Sequence, residues 1–196
     1  MPLFPAEKIP ARNYIFWIVL IAVTVVAGFV VARLVAVNSS NYPQLMKISS
    51  PAFENNAEMP VSFTCLGDGH NPPLSISEVP GDAAALALVT IDPDAPSGEF
   101  VHWLAWNIDR NTTLIDEGLP PPMSLEGQNS LGKVGYVAPC PPSGTHHYRF
   151  QLYALDKELE LDENTTKDEL VRAMTGHIID EAELVGLVTA IEPDNN

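Results

Sequence analysis

Three segments of the 196-residue chain set polar side chains among prolines: Asp92-Pro93-Asp94-Ala95-Pro96, His102 within an otherwise apolar run, and Ala-Pro-Cys-Pro-Pro-Ser-Gly-Thr-His-His-Tyr over residues 138–148. A carboxylate, an imidazole and a phenol can exchange protons, so Asp92, His102 and Tyr148 could act as general acid and base. No Ser-centred elbow, zinc-type His/Cys spacing or Gly-rich phosphate fingerprint accompanies them. Neither a metal nor a cofactor is expected, and acid–base residues without a nucleophile argue weakly for an enzyme. Each piece also has a structural reading. Asp-Pro-Asp-x-Pro is a turn in which proline sets φ and aspartate accepts local N–H groups. A lone histidine on a strand is most often a satisfied core residue.

The elements that would hold these groups are short strands, because eighteen prolines punctuate brief apolar runs and no internal repeat is visible. Residues 84–91 form an apolar run suited to a strand buried on both faces. Residues 101–108 follow; strict alternation would point His102, Leu104 and Trp106 one way and Val101, Trp103 and Ala105 the other. In residues 148–155, Tyr148, Phe150 and Leu152 share one face, with Arg149, Gln151 and Tyr153 opposite. Thr166 and Glu169 have capping-box spacing, and Leu170, Val171, Met174 and Ile178 follow as an apolar helical stripe. That pattern predicts a helix running to about Glu183, with residues 184–191 returning as a last strand. Strands first and helix last indicate an antiparallel, mainly β (α+β) sandwich.

With 46% hydrophobic and 18% charged residues, the composition is that of an ordinary globular chain. The net charge is −15; residues 1–37 carry +2 (Lys8, Arg12 and Arg33 against Glu7), which leaves −17 on residues 38–196. Nucleic acid is excluded as a partner, because a phosphate backbone needs clustered Lys and Arg. Residues 13–32 contain no charge and would span about 30 Å as a helix, the thickness of a bilayer core. Tyr14 and Trp17 sit where interfacial aromatics belong. Lys8 and Arg12 before the span, against Arg33 after it, put the N-terminus in the cytoplasm. The expected organisation is a cytoplasmic flank (1–13), a transmembrane anchor and exit (14–37), a linker (38–44), one extracytoplasmic domain (45–191) and a tail (192–196). The alternative is a secreted protein whose signal is cleaved after Val30-Val31-Ala32. The two cysteines, Cys65 and Cys140, are either bridged, as an oxidising compartment would favour, or two buried thiols.

Taken together, MPVSFTCLG near 59–67, NPPLS at 71–75, DPDAP at 92–96, VHWLAWNI at 101–108, PCPPSGTHHY at 139–148 and GHIIDEAELVG at 176–186 resemble the phosphatidylethanolamine-binding protein family. The likeness is to its bacterial Raf-kinase-inhibitor-like branch, of YbhB/YbcL type, and covers about residues 45–190. It implies two packed antiparallel sheets with peripheral helices and an anion-binding pocket at one end. By matched motif, it implies that Asp92, His102, Cys140, Pro141, Pro142, His146 and Tyr148 form the pocket, with Asp92 orienting or charging His102, or accepting from a ligand. Main-chain N–H groups around residues 143–145 would add donors. Three positions depart from the family pattern: His147 stands where Arg is usual, Val137-Ala138 where Gly-Gly is common, and Ile76 where Trp is common.

The reading that follows is a membrane-anchored extracytoplasmic binding protein for a small anionic or phosphorylated ligand, a phosphate ester or carboxylate resembling a phospholipid headgroup. Its partners are that ligand and the membrane. The alternatives are an inhibitor or regulator of an unidentified extracytoplasmic protein, or a weak hydrolase using Asp92, His102 and Tyr148.

Overall fold

A computed structural model describes residues 45–191. The flank, transmembrane anchor, linker and tail expected at 1–13, 14–37, 38–44 and 192–196 lie outside the described residues, among which no helix is long and apolar enough to cross a membrane. In chain order the strands are β1 (Lys47–Ser49), β2 (Ala57–Glu58), β3 (Leu74–Ser77), β4 (Ala85–Asp92), β5 (Phe100–Asp109), β6 (Leu114–Ile115), β7 (Leu125–Glu126), β8 (Thr145–Leu155) and β9 (Ile178–Thr189). A 3-10 turn (Val61–Phe63) follows β2, and one α-helix, α1 (Lys167–Met174), lies between β8 and β9.

Two sheets form, one in the order β1-β3-β6 and the other β2-β9-β8-β4-β5-β7. All pairs are antiparallel except the two-residue pairing of β2 with β9, which is parallel and departs from the fully antiparallel expectation. Ile48, Leu74, Ile76 and Ile115 of the small sheet pack with Leu86, Leu88, Trp103, Tyr148, Phe150 and Leu152 of the large one, so the main core lies between them. A second cluster covers the other face of the large sheet, where Ala87, Val89, Leu104 and Trp106 meet Leu170 and Met174 of α1. Every residue of β4 is therefore buried, as its apolar run requires. β8 shows the expected alternation: Tyr148, Phe150 and Leu152 enter the main core, whereas Arg149 and Gln151 meet Glu183 on the outer face.

The helix starts as its sequence indicates and ends sooner. The Thr166 N–H donates to Glu169 Oε2 at 2.9 Å, and the reciprocal half of the capping box is also present. The bond from the Thr166 N–H, with a second from the Thr166 hydroxyl to the same oxygen, holds the Glu169 carboxyl below its usual range. The predicted extension to about Glu183 is wrong. Gly176 takes φ +81°, a left-handed conformation that stops a helix after Thr175 and that glycine adopts at little cost. Ile178 instead opens β9, and Leu170 and Met174 alone of the expected stripe are buried; Val171 is 41% exposed.

Candidate functional site

Where β4 ends, Asp92 turns back into the main core face beside the first residues of β8. It is 4% exposed. Its Oδ1 accepts the Asp94 N–H at 2.8 Å, the local turn bond that the Asp-Pro-Asp sequence favours. Its Oδ2 accepts from Nδ1 of His146 at 2.7 Å. The Tyr148 hydroxyl lies near the same carboxylate and near the Cys140 N–H, and both act on its acidity. Asp92 thus orients His146. Of the two roles toward His102 expected for Asp92, orienting and charging, the second is the one seen: the Nδ1–H of that ring goes to Val137, and Asp92 acts on it through its charge.

His102 reaches the site because β5 bulges. Thr90 pairs with Trp103 but Ile91 pairs with Val101, which leaves His102 as the extra residue. A bulge shifts alternation by one and re-aims a side chain. Val101 accordingly packs with Leu104 and Trp106, while His102 leaves the face that strict alternation assigned to it and meets the Tyr148 ring edge-on at 5.1 Å. Phe100 lies against its other side at 4.8 Å. Nδ1–H of His102 donates to the Val137 carbonyl at 2.7 Å, and the Val137 N–H returns a bond to the His102 carbonyl at 2.9 Å. A carbonyl can only accept, so in the neutral ring Nε2 carries the lone pair. Burial pushes the His102 pKa below the ordinary histidine value; the Val137 carbonyl and the charge of Asp92 oppose that shift without cancelling it. Burial and the Asp92 charge push the Tyr148 phenol up, so it remains a neutral hydroxyl.

These groups line a cavity of about 310 Å³. That volume falls at the small end of ligand sites, roughly 300–1,000 Å³. Its polar floor is Asp92, His102, His146 and Tyr148. Its apolar wall comes from Phe100, Leu131, Val137, Ala138, Cys140 and Pro142, and Ala95, Pro96 and Ser97 form one rim. Six of the seven residues expected at the pocket are therefore brought together. Pro141 is not, because at this point of the loop Cys140 and Pro142 face the cavity. Residues 143–145 do not line it either, since β8 begins at Thr145 and that strand's pairing takes up the segment. Phe100 could have been found from its position two residues before His102, but nothing local marks Leu131.

Cys65 and Cys140 are bonded, with Cα atoms 5.4 Å apart. Both are exposed, and the bond ties the turn after the 3-10 segment to the cavity wall, beside a backbone bond from the Cys65 N–H to the Pro139 carbonyl. Cys140 therefore offers the cavity no thiol. His147 points out of the cavity; its N–H and Nδ1–H both donate to Asp94 Oδ2, at 2.9 and 2.8 Å, and the side-chain bond holds the Asp94 carboxyl below its usual range.

The family model for phosphatidylethanolamine-binding proteins matches residues 49–189. The chain belongs to that family. A UPF0098 protein of Methanothermobacter thermautotrophicus is 44% identical over 147 residues, covering 72% of this chain and 97% of its own. A Mycobacterium tuberculosis protein that bears the provisional name lipoprotein LppC is 41% identical over 143 residues, with 72% and 71% covered. Among solved structures, the phosphatidylethanolamine-binding protein homologue CT736 of Chlamydia trachomatis superposes with a TM-score of 0.72 at 39% identity, covering 77% of this chain and 99% of its own. YbcL of Escherichia coli, described as a member of the mammalian family, gives 0.69 at 25% identity over 75% and 99%. Within this family fold, two of the three sequence departures bear on the cavity. Val137 and Ala138 supply side chains to its wall, and His147 brings no charge into it.

Proposed function

We propose that the chain is a membrane-anchored binding protein that carries the domain of residues 45–191 outside the cytoplasm and captures a small anionic or phosphorylated ligand, such as a phospholipid headgroup. The observation that carries this reading is the convergence of His102, His146 and Tyr148 with Asp92 at the floor of one concave, largely apolar cavity. Sites of this shape, with few polar groups converging on an apolar wall, are ligand sites by default. Binding is favoured over catalysis, because the cavity's one sulfur is tied in the disulfide and no serine hydroxyl among the described residues is hydrogen-bonded to His102 or His146. The anchor rests on the uncharged span of residues 13–32. Two further points support an extracytoplasmic domain: an exposed disulfide persists in oxidising compartments, and one relative bears a lipoprotein name.

The test is native mass spectrometry of the full chain, released from detergent and purified without phosphate or acetate. A copurified acidic adduct lost on Tyr148→Phe substitution is the expected result. A bare chain that also gives no binding heat with inorganic phosphate or phosphoethanolamine overturns the assignment.

A further inference from the structure

The cavity has no permanent positive charge. Neither Lys nor Arg lines it, whereas the carboxylate of Asp92 does. The N–H donors of its two imidazoles are also already committed. Nδ1–H of His102 goes to the Val137 carbonyl and Nδ1–H of His146 to Asp92, while the Tyr148 hydroxyl, a neutral donor, lies beside the Asp92 carboxylate. In the neutral rings, the free edges are Nε2 lone pairs. These accept hydrogen bonds and repel the lone pairs of a phosphate oxygen. At the rim, the Ser97 hydroxyl adds one neutral donor.

We propose that the cavity takes up its anion together with one proton, held between an anion oxygen and Nε2 of His102, and so selects acids whose dissociable proton titrates near neutrality, bound as dihydrogen phosphate or as the monoanion of a phosphate monoester, over sulfate. The proposal rests on the cavity being an anion site. His102 is the ring concerned because its Nδ1–H partner is a neutral carbonyl, whereas His146 is bonded directly to the Asp92 carboxylate; at His102 the more distant charge of Asp92 does not offset burial of a second proton before an anion arrives. Burial works in the same direction, opposing an imidazolium in the empty cavity. The groups facing the ring are Asp92 at the end of β4, His146 and Tyr148 from β8, and, farther out, Asp94 in the loop after β4 and Tyr136 behind Tyr148. None of these is a permanent cation that could replace the proton. The monoanion of a phosphate monoester brings a proton with a pKa of about 6, near that of an ordinary imidazole, and can share it. Sulfate is a far weaker base, so its binding must place the whole proton on a buried imidazole.

Titration calorimetry of the full chain at about pH 8, where an unperturbed imidazole is neutral, separates the possibilities. Inorganic phosphate and sulfate are titrated in two phosphate-free buffers of different ionisation enthalpy. The expected result is uptake approaching one proton per phosphate, and an affinity that falls about tenfold per pH unit above neutrality. Sulfate should bind at least about tenfold more weakly, since only phosphate brings the proton for a charge-assisted bond. His102→Gln, which cannot titrate, should lose both the proton uptake and the preference for phosphate. If phosphate binds with heats independent of buffer, or sulfate binds as tightly, the proton-coupled reading is overturned while the anion site stands. Should wild-type protein bind neither anion, the anion site itself is overturned. If His102→Gln fails to fold, the wild-type arms still decide.

Discussion

Replacing both cysteines, as Cys65→Ser with Cys140→Ser, removes the one covalent link between the turn after the 3-10 segment and the cavity wall. The half-cystines are 75 residues apart in sequence. Closing a loop of that length in the unfolded chain costs about 4.5 kcal/mol of entropy at room temperature, and measured bridges typically realise about 2–4 kcal/mol of such a figure. Both sulfurs sit at exposed residues, so the substitution leaves no buried cavity to add a packing penalty. For a domain of this size, that range lowers the melting temperature by about 4–16 °C, at roughly 2–4 °C per kcal/mol. The assay is thermal melting followed by the fluorescence of the buried Trp103 and Trp106, comparing the oxidised chain with the double variant in phosphate-free buffer. Reducing the wild type should bring it to the melting point of the variant, since both then lack the same constraint. Equal melting points for oxidised protein and variant would refute the argument. So would two reactive thiols per chain on labelling of denatured, non-reduced protein.

Asp92→Asn removes the only carboxylate that lines the cavity and weakens the acceptor for His146. Stability should fall by about 1–3 kcal/mol in urea melts while phosphate affinity rises; an unchanged or lower affinity contradicts the view that this charge opposes the anion. Tyr148→Phe keeps the buried ring but loses the hydroxyl that lies beside Asp92 and the Cys140 N–H, so stability should drop by about 0.5–1.5 kcal/mol, and identical urea midpoints would show that this hydroxyl contributes nothing. The folded-state pKa of His102 lies below its unfolded value of about 6.5. Its contribution is therefore fully present above about pH 6.5 and is lost as the pH falls through the depressed folded value. In anion-poor buffer the wild type should lose stability relative to His102→Gln between about pH 6.5 and pH 5, and parallel pH profiles would argue against a buried neutral ring. For the anchor, a reporter that works only outside the cytoplasm, fused after Asn196, should be active, and its cytoplasm-dependent counterpart silent; the reverse pattern overturns the topology.

Much of the fold was legible in local pattern. The apolar run of β4, the alternation of β8 and the capping box at Thr166 each depend on side-chain periodicity or on a bond a few residues long, so neighbouring residues suffice to state them. The site residues were legible as motifs, through their resemblance to the family, rather than as geometry. The pairing of strands decided what remained. One extra residue in β5 turned His102 from the helix-covered face to the cavity, and a bulge depends on which residues the partner strand sets opposite it. The same applies to Asp92, whose partner proved to be His146 because β8 lies beside β4 in a register that no segment specifies alone. Pro141 was grouped with Cys140 and Pro142 as adjacent residues, yet only its neighbours face the cavity. Residue types and spacing thus determined which groups could meet an acid. The tertiary structure decided which ring nitrogens stay free to do so, because hydrogen-bond direction is set by partners 35 and 54 residues away along the chain.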